Sequence, residues 1–296
     1  MINIGVQNEC LREKFSWSTC ILCVDICLRK SLYLEKNNVK IEQPKCNQCG
    51  LCIIACPADA ISGPPPLRNI ENDLIHSDNR AVPSVKELLL YYHAGIRHIH
   101  LNTAHIQWLP VIDEVNLKLE ALERLPIQVQ QDSKPVENIS SARRSLLGLR
   151  RHTPLSIKNK PLNTIFTGYR FFTLNLNEET CSLCSACQNV CTTQAIHLND
   201  NALTIQTHLC TGCKLCVDAC PDKSLTLEED ISSENTISHS LHKLTCTCCE
   251  KTFSDFKSKT QEQNLCSACR LRKKIGLPIH SMSQNSIANL YKDKSS

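Results

Sequence analysis

The sequence predicts an α+β chain in which two similar cysteine-rich units flank a small α/β module, with a further four-cysteine segment after the second unit. Three observations predict this arrangement. Eight cysteines between Cys181 and Cys220 follow one regular spacing, cysteines near the N-terminus repeat it, and residues 67–135 contain no cysteine. The 296 residues are enough for two or three domains.

The stretch from Cys181 to Pro221 carries the most specific pattern. It consists of CSLCSACQNVC, an 18-residue interval and CTGCKLCVDACP. Each half is C-x2-C-x2-C-x3-C, which is typical of loops that wrap three thiolates around one iron–sulfur cube. Cysteines that were merely buried or disulfide-bonded would not need so regular a run. One departure is Thr192, which stands where proline commonly follows the fourth cysteine.

This stretch resembles the bacterial two-cluster ferredoxin domain over its whole length. The resemblance implies that the fourth cysteine of each half ligates the cluster of the other half. We therefore expect two [4Fe–4S] clusters in this unit. One is on Cys181, Cys184, Cys187 and Cys220, and the other is on Cys210, Cys213, Cys216 and Cys191.

The N-terminal cysteines repeat the pattern at a constant offset of 164 residues, so that Cys20 corresponds to Cys184. Both copies have an 18-residue interval with two β-prone runs about an Asn-rich turn. This predicts an antiparallel hairpin between the two cluster loops of each unit. Residues 10–62 and 181–228 are thus expected to be two copies of one fold. The resemblance implies one complete N-terminal ligand set, which is Cys27, Cys46, Cys49 and Cys52.

The other N-terminal ligand set is one cysteine short. Trp17 stands at the position equivalent to Cys181, and tryptophan cannot bind iron. Cys10 is the expected substitute, because the nine-residue insert LREKFSWST lets the chain loop around and close the site. Three alternatives stay open here: a three-iron cluster, a cluster with an exchangeable fourth ligand, and no cluster. The remaining ligands of this set are Cys20, Cys23 and Cys56.

The run Gly63-Pro64-Pro65-Pro66 predicts the end of the first unit, because consecutive prolines favour an extended chain. In the following module, the pattern predicts a helix over 84–94, a strand over 96–101 and a helix over 108–125. His98 and His100 share one face of the strand, which we interpret as an ordinary polar face because nothing completes a metal site. The expected domains are 1–66, 67–135, a linker over 136–176, 177–230, 240–275 and a disordered tail over 276–296.

Three segments together resemble a family of bacterial multi-cluster ferredoxins: CLREKFSWSTCILCVDIC, VKELLLYYHAGIRHIHL and the second cysteine unit. The middle segment is also similar to the delta subunit of methyl-viologen-reducing hydrogenases. That subunit has cysteines at the end of its helix–strand unit, whereas Asn102 and Thr103 stand here, so we expect no cluster in the module. The resemblance implies electron exchange with hydrogenase-like or dehydrogenase-like oxidoreductases.

The C-terminal pattern is Cys246-x2-Cys249, sixteen residues and Cys266-x2-Cys269, the spacing of a four-cysteine Zn²⁺ site. It resembles a zinc ribbon. Cys248 competes with Cys249, but only Cys249 restores the two-residue spacer. A rubredoxin-like iron site is the main rival, although its usual glycines are replaced by Glu250 and Arg270. A basic run follows directly: Arg270, Arg272, Lys273 and Lys274.

Charge and composition narrow the function classes. The formal charge of +4 treats every thiol as neutral, and with four clusters and one zinc bound it becomes about −6. General attraction to nucleic acid is therefore not expected. We find neither a signal peptide nor an apolar stretch long enough to span a membrane, which predicts a cytoplasmic protein whose 21 cysteines stay reduced.

The chain also lacks the glycine-rich loops that cradle dinucleotides or phosphates and the nucleophile motif G-x-S-x-G. We therefore predict an electron carrier that is not itself an enzyme. It would relay single electrons between a donor oxidoreductase and an acceptor. One alternative is a redox sensor or assembly protein that uses its zinc ribbon to bind nucleic acid or protein. The other is an enzyme that uses the cluster with a missing fourth ligand as a Lewis acid.

Overall fold

The computed structural model describes residues 3–131, 157–256 and 264–276. Within these ranges the chain mixes short helices and strands, which confirms the α+β class. No helix of the described ranges has the length and apolar character needed to cross a bilayer.

The first unit, residues 3–62, is built on two small antiparallel sheets. The predicted hairpin is confirmed, with Leu32–Glu35 paired to Asn38–Ile41. Gly5–Val6 pairs with Ile61–Ser62 and brings the two ends of the unit together. Buried Ile4, Leu32, Val39, Ile53 and Ile61 fill the space between the sheets and the cysteine loops. The helices of this unit are Leu11–Lys14, Leu22–Asp25 and Leu51–Ala55, with a 3-10 turn at Gln43–Lys45.

The middle module is a four-stranded sheet crossed by two helices. Asn69–Glu71 is antiparallel to Leu74–His76, and the strands that follow are parallel to their neighbours. Parallel neighbours require crossover connections, which the helices supply. The remaining elements are the strands His98–Leu101 and Gln128–Gln131, the helices Val85–His93 and Leu109–Ala121, and the 3-10 segment Thr103–Trp108.

Both helices of the middle module occur where the sequence predicts them. Ser84 caps the first helix by accepting a hydrogen bond from the Glu87 amide at 3.1 Å. Tyr91, Ile99 and Trp108 are fully buried between the helices and the sheet. The second helix ends earlier than expected, at Ala121 rather than residue 125.

The second unit repeats the first with longer strands. Ile196–Leu198 and Ala202–Gln206 form the second predicted hairpin, which is therefore also confirmed. Tyr169–Leu176 pairs with Leu225–Ser233, and the register shifts between Glu229 and Ser232. The shorter elements are the helices Leu162–Ile165, Ala186–Val190 and Leu215–Asp218 and the 3-10 turn Thr207–Leu209.

The structure differs from the sequence-based boundaries around this unit. The strand Tyr169–Leu176 lies inside the stretch assigned to a linker. Leu174 packs in the core of the second unit, and Phe171 packs in the core that contains the middle module. The part of that stretch over 132–156 lies outside the described residues, as does the tail over 277–296.

The C-terminal segment shares a sheet with the second unit. Thr236–Thr245 pairs on one side with Ala202–Gln206 and on the other with Thr252–Phe256, giving a four-stranded antiparallel sheet that begins at Ile196–Leu198. The helix Ser267–Lys274 follows. The four-cysteine segment is thus joined by backbone hydrogen bonds to the second unit.

Candidate metal centres

Sixteen cysteines gather into four groups of four thiols. Burial is the main cause that raises the pKa of Cys52 to about 12, and the charges of Cys49, Cys23, Cys46 and Cys27 raise it further. Cys27 and Cys46 also raise the pKa of Cys49, so these three and Cys52 are one group, whereas Cys23 interacts with Cys20, Cys56 and Cys10. We name the groups quartet A (Cys27, Cys46, Cys49, Cys52), quartet B (Cys10, Cys20, Cys23, Cys56), quartet C (Cys191, Cys210, Cys213, Cys216) and quartet D (Cys181, Cys184, Cys187, Cys220).

Quartets C and D show the same electrostatic grouping. Burial raises the pKa of Cys210 to about 11, with smaller contributions from Cys213 and Cys191. Burial likewise raises the pKa of Cys187 to about 11, and the neighbours that add to it are Cys181, Cys184 and Cys220. Thiols held neutral by burial release their protons when a metal supplies the compensating positive charge.

The structure brings Cys10 to the site that lacks a ligand. Burial raises the pKa of Cys23 to about 12, and the charges that raise it further are those of Cys20, Cys56 and Cys10. Cys10 itself is 9% exposed. Trp17, which holds the position equivalent to a ligand, is instead 42% exposed and stacks near Phe15 with ring centroids 5.0 Å apart.

Local contacts explain how Cys10 reaches quartet B. Gln7 donates its backbone N–H to the carbonyl of Ala60 at 2.8 Å, which fixes the chain just before Cys10. Cys10 then caps the short helix Leu11–Lys14. From that helix the buried Arg12 donates through Nε to the carbonyl oxygen of Cys20 at 2.5 Å. The insert therefore folds back onto the loop that it precedes.

One hydrogen bond recurs in all four quartets. The fourth cysteine of each motif accepts the backbone N–H of the residue four positions later, at 3.2–3.3 Å between N and Sγ. Such bonds stabilise sulfur that carries negative charge. The spacing of the cysteines does not reveal these donors, because they are backbone groups. The pairs are Ser31 with Cys27, Ala60 with Cys56, Ala195 with Cys191, and Ser224 with Cys220.

Quartet A has one further donor. The Ser31 hydroxyl lies 3.1 Å from Cys27 Sγ. Burial acts to raise the pKa of Cys27, but the hydrogen bonds from the Ser31 side chain and from nearby amides outweigh it, so that the pKa is lowered. Ser31 is buried. It is a candidate site residue that the spacing pattern does not reveal.

Three of the four cysteine loops share an unusual backbone. In each, two residues between the cysteines have positive φ: Gln48 and Gly50, Leu183 and Ser185, Gly212 and Lys214. This left-handed conformation is uncommon outside glycine, and here it turns three thiols toward one point. In the fourth loop the equivalent residue Ile21 has φ −131°. That loop is also the one in which Trp17 replaces a cysteine.

The C-terminal cysteines form a separate, tighter group. Each of Cys246, Cys249, Cys266 and Cys269 offers its sulfur within 4.8 Å of the others. The distance between the sulfurs of Cys249 and Cys266 is 3.8 Å. A tetrahedral metal with metal–sulfur bonds of about 2.3 Å requires a sulfur separation of about 3.8 Å. The donor set therefore fits one tetrahedral metal ion.

Two other candidate groups have local partners. Arg270, from the basic run, donates to the buried carboxylate of Asp255 at 2.8 Å. His98 Nδ1 lies 2.8 Å from the carboxylate of Asp73. Both contacts stabilise the fold locally, and neither Arg270 nor His98 is part of a cysteine group.

Two family models match the chain. The 4Fe-4S dicluster domain matches residues 180–225, and the 4Fe-4S binding domain matches residues 39–62. The chain carries two ferredoxin-type domains. The first match includes quartet D and quartet C, and the second includes the loop of quartet A. A search among curated proteins finds no match to the chain.

The ferredoxin-type domains agree with the geometry of the thiols. They support at least two [4Fe–4S] clusters and an electron-transfer role for an iron–sulfur protein. Neither match reaches residues 10–23, which hold Cys10 and the loop with Trp17. The separate four-cysteine group adds a further candidate metal site.

Proposed function

We propose that this protein is a four-cluster polyferredoxin that relays single electrons between a donor oxidoreductase and an acceptor. The observation that carries the proposal is the grouping of sixteen thiols into four quartets, including quartet B, where Cys10 joins Cys20, Cys23 and Cys56. Each quartet has the four thiols that one [4Fe–4S] cluster requires. Such a cluster, when bound, takes up and releases one electron.

The chain's own residues have three tasks in this function. The quartets hold the clusters through thiolates, the four recurring amides donate to cysteine sulfur, and buried side chains such as Leu32 and Leu215 exclude water from the loops. With four protein thiols in every quartet, no coordination position is left for substrate. We therefore propose a carrier rather than an enzyme, with the substrate chemistry left to its partners.

We propose zinc at the C-terminal four-cysteine group, where it would stabilise the fold. The sulfur separation of 3.8 Å and the four thiols within 4.8 Å of one another favour a closed tetrahedral site. In the basic run that follows, Arg270 is already bonded to the carboxylate of Asp255. Nucleic-acid binding is therefore not part of the proposal. We further propose a reducing compartment such as the cytoplasm, because all these thiols must stay available to metal.

The sensor and Lewis-acid alternatives depended on a cluster that lacks one ligand. The location of Cys10 beside Cys20, Cys23 and Cys56 supports four-thiol ligation at quartet B, so these alternatives are not part of the proposal. For the partner, the similarity of the middle segment to a hydrogenase subunit favours hydrogenase-like or dehydrogenase-like oxidoreductases.

The proposal is tested on protein purified without oxygen. We expect about sixteen irons, about sixteen acid-labile sulfides and one zinc per chain, with several one-electron steps in a redox titration followed by electron paramagnetic resonance (EPR). An iron content of about twelve, or the signal of a three-iron cluster, would contradict the four-cluster assignment. Rapid loss of clusters in air together with binding to nucleic acid would support the sensor instead.

A further inference from the structure

The order of the quartets in space follows from how their cysteines pack. Quartets A and B are neighbours inside the first unit, where Cys52 and Cys23 lie in one buried cluster. Quartets C and D are neighbours inside the second unit, where Cys187 packs against the cluster that holds Cys216. Contacts between the two units show which quartet of the first unit lies nearest to which quartet of the second.

The two units touch at Thr19 and Asp218. Thr19 directly precedes Cys20 of quartet B, and its backbone N–H donates to Asp218 Oδ2 at 2.7 Å. The Thr19 hydroxyl donates to the other carboxylate oxygen at 2.8 Å. Asp218 ends the helix Leu215–Asp218, which carries Cys216 of quartet C. A carboxylate that accepts two hydrogen bonds fixes the orientation as well as the distance of the two loops.

A second connection runs through residues 157–165. Asn159 Nδ2 donates to the carbonyl oxygen of Cys56 in quartet B at 2.9 Å. Asn163 Nδ2 donates to the carbonyl oxygens of His208 at 2.6 Å and Cys210, of quartet C, at 3.4 Å. One short segment therefore supports a loop of each unit. Lys86 ties this segment to the middle module by donating to Asn159 Oδ1 at 2.7 Å.

A cavity of about 890 Å³ lies between the same two quartets. Cys20 and Cys56 of quartet B line one side, and Cys210 and Cys213 of quartet C line the other. Among the described lining residues there is no cysteine of quartet A or D. Quartets A and D line two separate, smaller cavities.

The remaining two quartets lie toward solvent. Leu28, beside Cys27 of quartet A, is 72% exposed and lines the cavity of that quartet. Cys184 of quartet D is exposed. An exposed leucine or thiol next to a redox centre is a surface that a partner protein can approach directly.

We propose that the two units form one continuous electron path in the order A, B, C, D, with quartets B and C meeting at the Thr19–Asp218 junction. This inference rests on the proposed electron-transfer function. Each electron lost by one centre is gained by its neighbour, and no bond or proton moves. Because tunnelling falls steeply with distance, quartets A and D are the ends at which donor and acceptor dock, and Thr19 and Asp218 are positioning residues.

The order is tested with two full-length variants. The first replaces Cys46, Cys49, Cys184 and Cys187 by alanine, which leaves two thiols in each of quartets A and D and removes their clusters. The second does the same to quartets B and C by replacing Cys20, Cys23, Cys213 and Cys216. Each variant is expected to keep about eight irons. After reduction with dithionite, the first should show spin–spin splitting between its two clusters by EPR, and the second should show two uncoupled signals.

The junction is tested by Asp218→Ala, made both in the first variant and in the otherwise unchanged chain. It removes both acceptors of Thr19, so we expect the splitting between B and C to shrink while the iron content stays the same. Asp222→Ala is the matched control, because it removes the same charge from an exposed residue of the same unit. The unchanged-chain variant keeps the test valid if the ligand variants fold poorly.

Separate outcomes overturn separate proposals. The spatial order is overturned if the two variants keep their expected irons but the clusters of quartets B and C show no spin–spin splitting. It is also overturned if the clusters of quartets A and D do show such splitting. Equal splitting in Asp218→Ala and Asp222→Ala overturns the role of the junction. Wild-type protein that binds about eight irons or fewer overturns the four-cluster function itself.

Discussion

At the scale of single residues, the location of Cys10 shows how a thiol outside the spacing motif can reach a site whose motif lacks one cysteine. Trp17 occupies the ligand position and points away, while Arg12 anchors the insert to the carbonyl of Cys20. The thiol of Cys10 consequently lies with Cys20 and the rest of quartet B. The missing cysteine of the motif is thus supplied by Cys10, whose position depends on how the insert folds and not on the motif.

Cys10→Ala is expected to lower the iron content by one to four per chain, because three thiols hold either a three-iron cluster or none. Iron analysis and the EPR signal of a three-iron cluster measure this. Cys248→Ala is the control, since Cys248 stands beside a metal group without being needed for its spacing. Unchanged iron in Cys10→Ala would show that Cys10 is not a ligand.

Ser31→Ala is expected to lower the reduction potential of the cluster at quartet A by roughly 20–60 mV. The hydroxyl lies 3.1 Å from Cys27 Sγ, and a donor to sulfur stabilises the more negative, reduced state. A differential hydrogen bond of about 0.5–1.5 kcal/mol corresponds to that range for one electron. A redox titration followed by EPR gives the value.

Thr193→Val provides the comparison for Ser31→Ala. Its hydroxyl lies 3.7 Å from Cys191 Sγ, so a smaller shift is expected at quartet C. Equal shifts in the two variants would show that the Ser31 hydroxyl does not set the potential through its shorter contact.

At the scale of elements, the helix Val85–His93 depends on a buried ion pair. Arg68 donates to both oxygens of Glu87, at 2.7 and 3.0 Å, and Glu87 is fully buried. Arg68 also lies over the ring of Trp108, 5.1 Å from its centroid. The amphipathic pattern predicted this helix but did not reveal the ion pair buried beneath it.

Glu87→Ala is expected to lower the free energy of unfolding of the middle module by about 3 kcal/mol, because it removes the bidentate partner of the buried Arg68 and leaves it only the 3.3 Å ion pair with Asp78. Thermal or denaturant unfolding followed by circular dichroism measures the change. Glu114→Ala is the control, since its 3.7 Å contact with Lys118 is on the surface and is worth less than about 1 kcal/mol. Equal losses in the two variants would exclude a special role for the buried pair.

The C-terminal hairpin and helix are expected to depend on metal. A zinc chelator should abolish hydrogen-exchange protection over 246–256 and 264–276, because this segment has only a small apolar cluster of its own. Protection over 181–225 should remain. Cys246→Ser should have the same effect without chelator, and Cys248→Ser should not. Retained protection after complete loss of zinc would show that the metal does not hold this segment together.

At the scale of the whole molecule, the modules are joined where cysteine loops meet connecting segments. Gly50, beside Cys49, has φ 77° and lies against the proline run that leads into the middle module. A Cβ there would lie 2.5 Å from the backbone nitrogen of Pro66. The conformation of the quartet A loop therefore depends on the position of the proline run Pro64–Pro66, and the reverse also holds.

Gly50→Ala is expected to displace the Cys49 loop and to reduce the iron content by about four per chain. Gly168→Ala is the matched control, because Gly168 also has positive φ, 89°, but nothing lies within 4 Å of an added Cβ. The control carries only the backbone strain, about 1–2 kcal/mol, and should keep its iron. The same iron content in both variants would show that the proline contact does not shape the site.

The repeated units could be predicted from the sequence alone, because ligand spacing in a loop is a local property. The eight-cysteine pattern over 181–220 and its offset copy predicted two similar units, the β-prone runs about an Asn-rich turn predicted both hairpins, and helical periodicity predicted Val85–His93. The C-x2-C pairs likewise predicted the four-cysteine group that the structure brings together. Each of these depends on residues close together in the chain.

Only the tertiary structure decided how these parts meet. The approach of Cys10 depends on Arg12 and on pairing between the two ends of the first unit, and the sheet that joins the second unit to the C-terminal segment depends on long-range strand pairing. The contact of Thr19 with Asp218 joins residues 199 positions apart. Such contacts leave no periodic trace in the sequence, because they depend on where packing places two otherwise ordinary side chains.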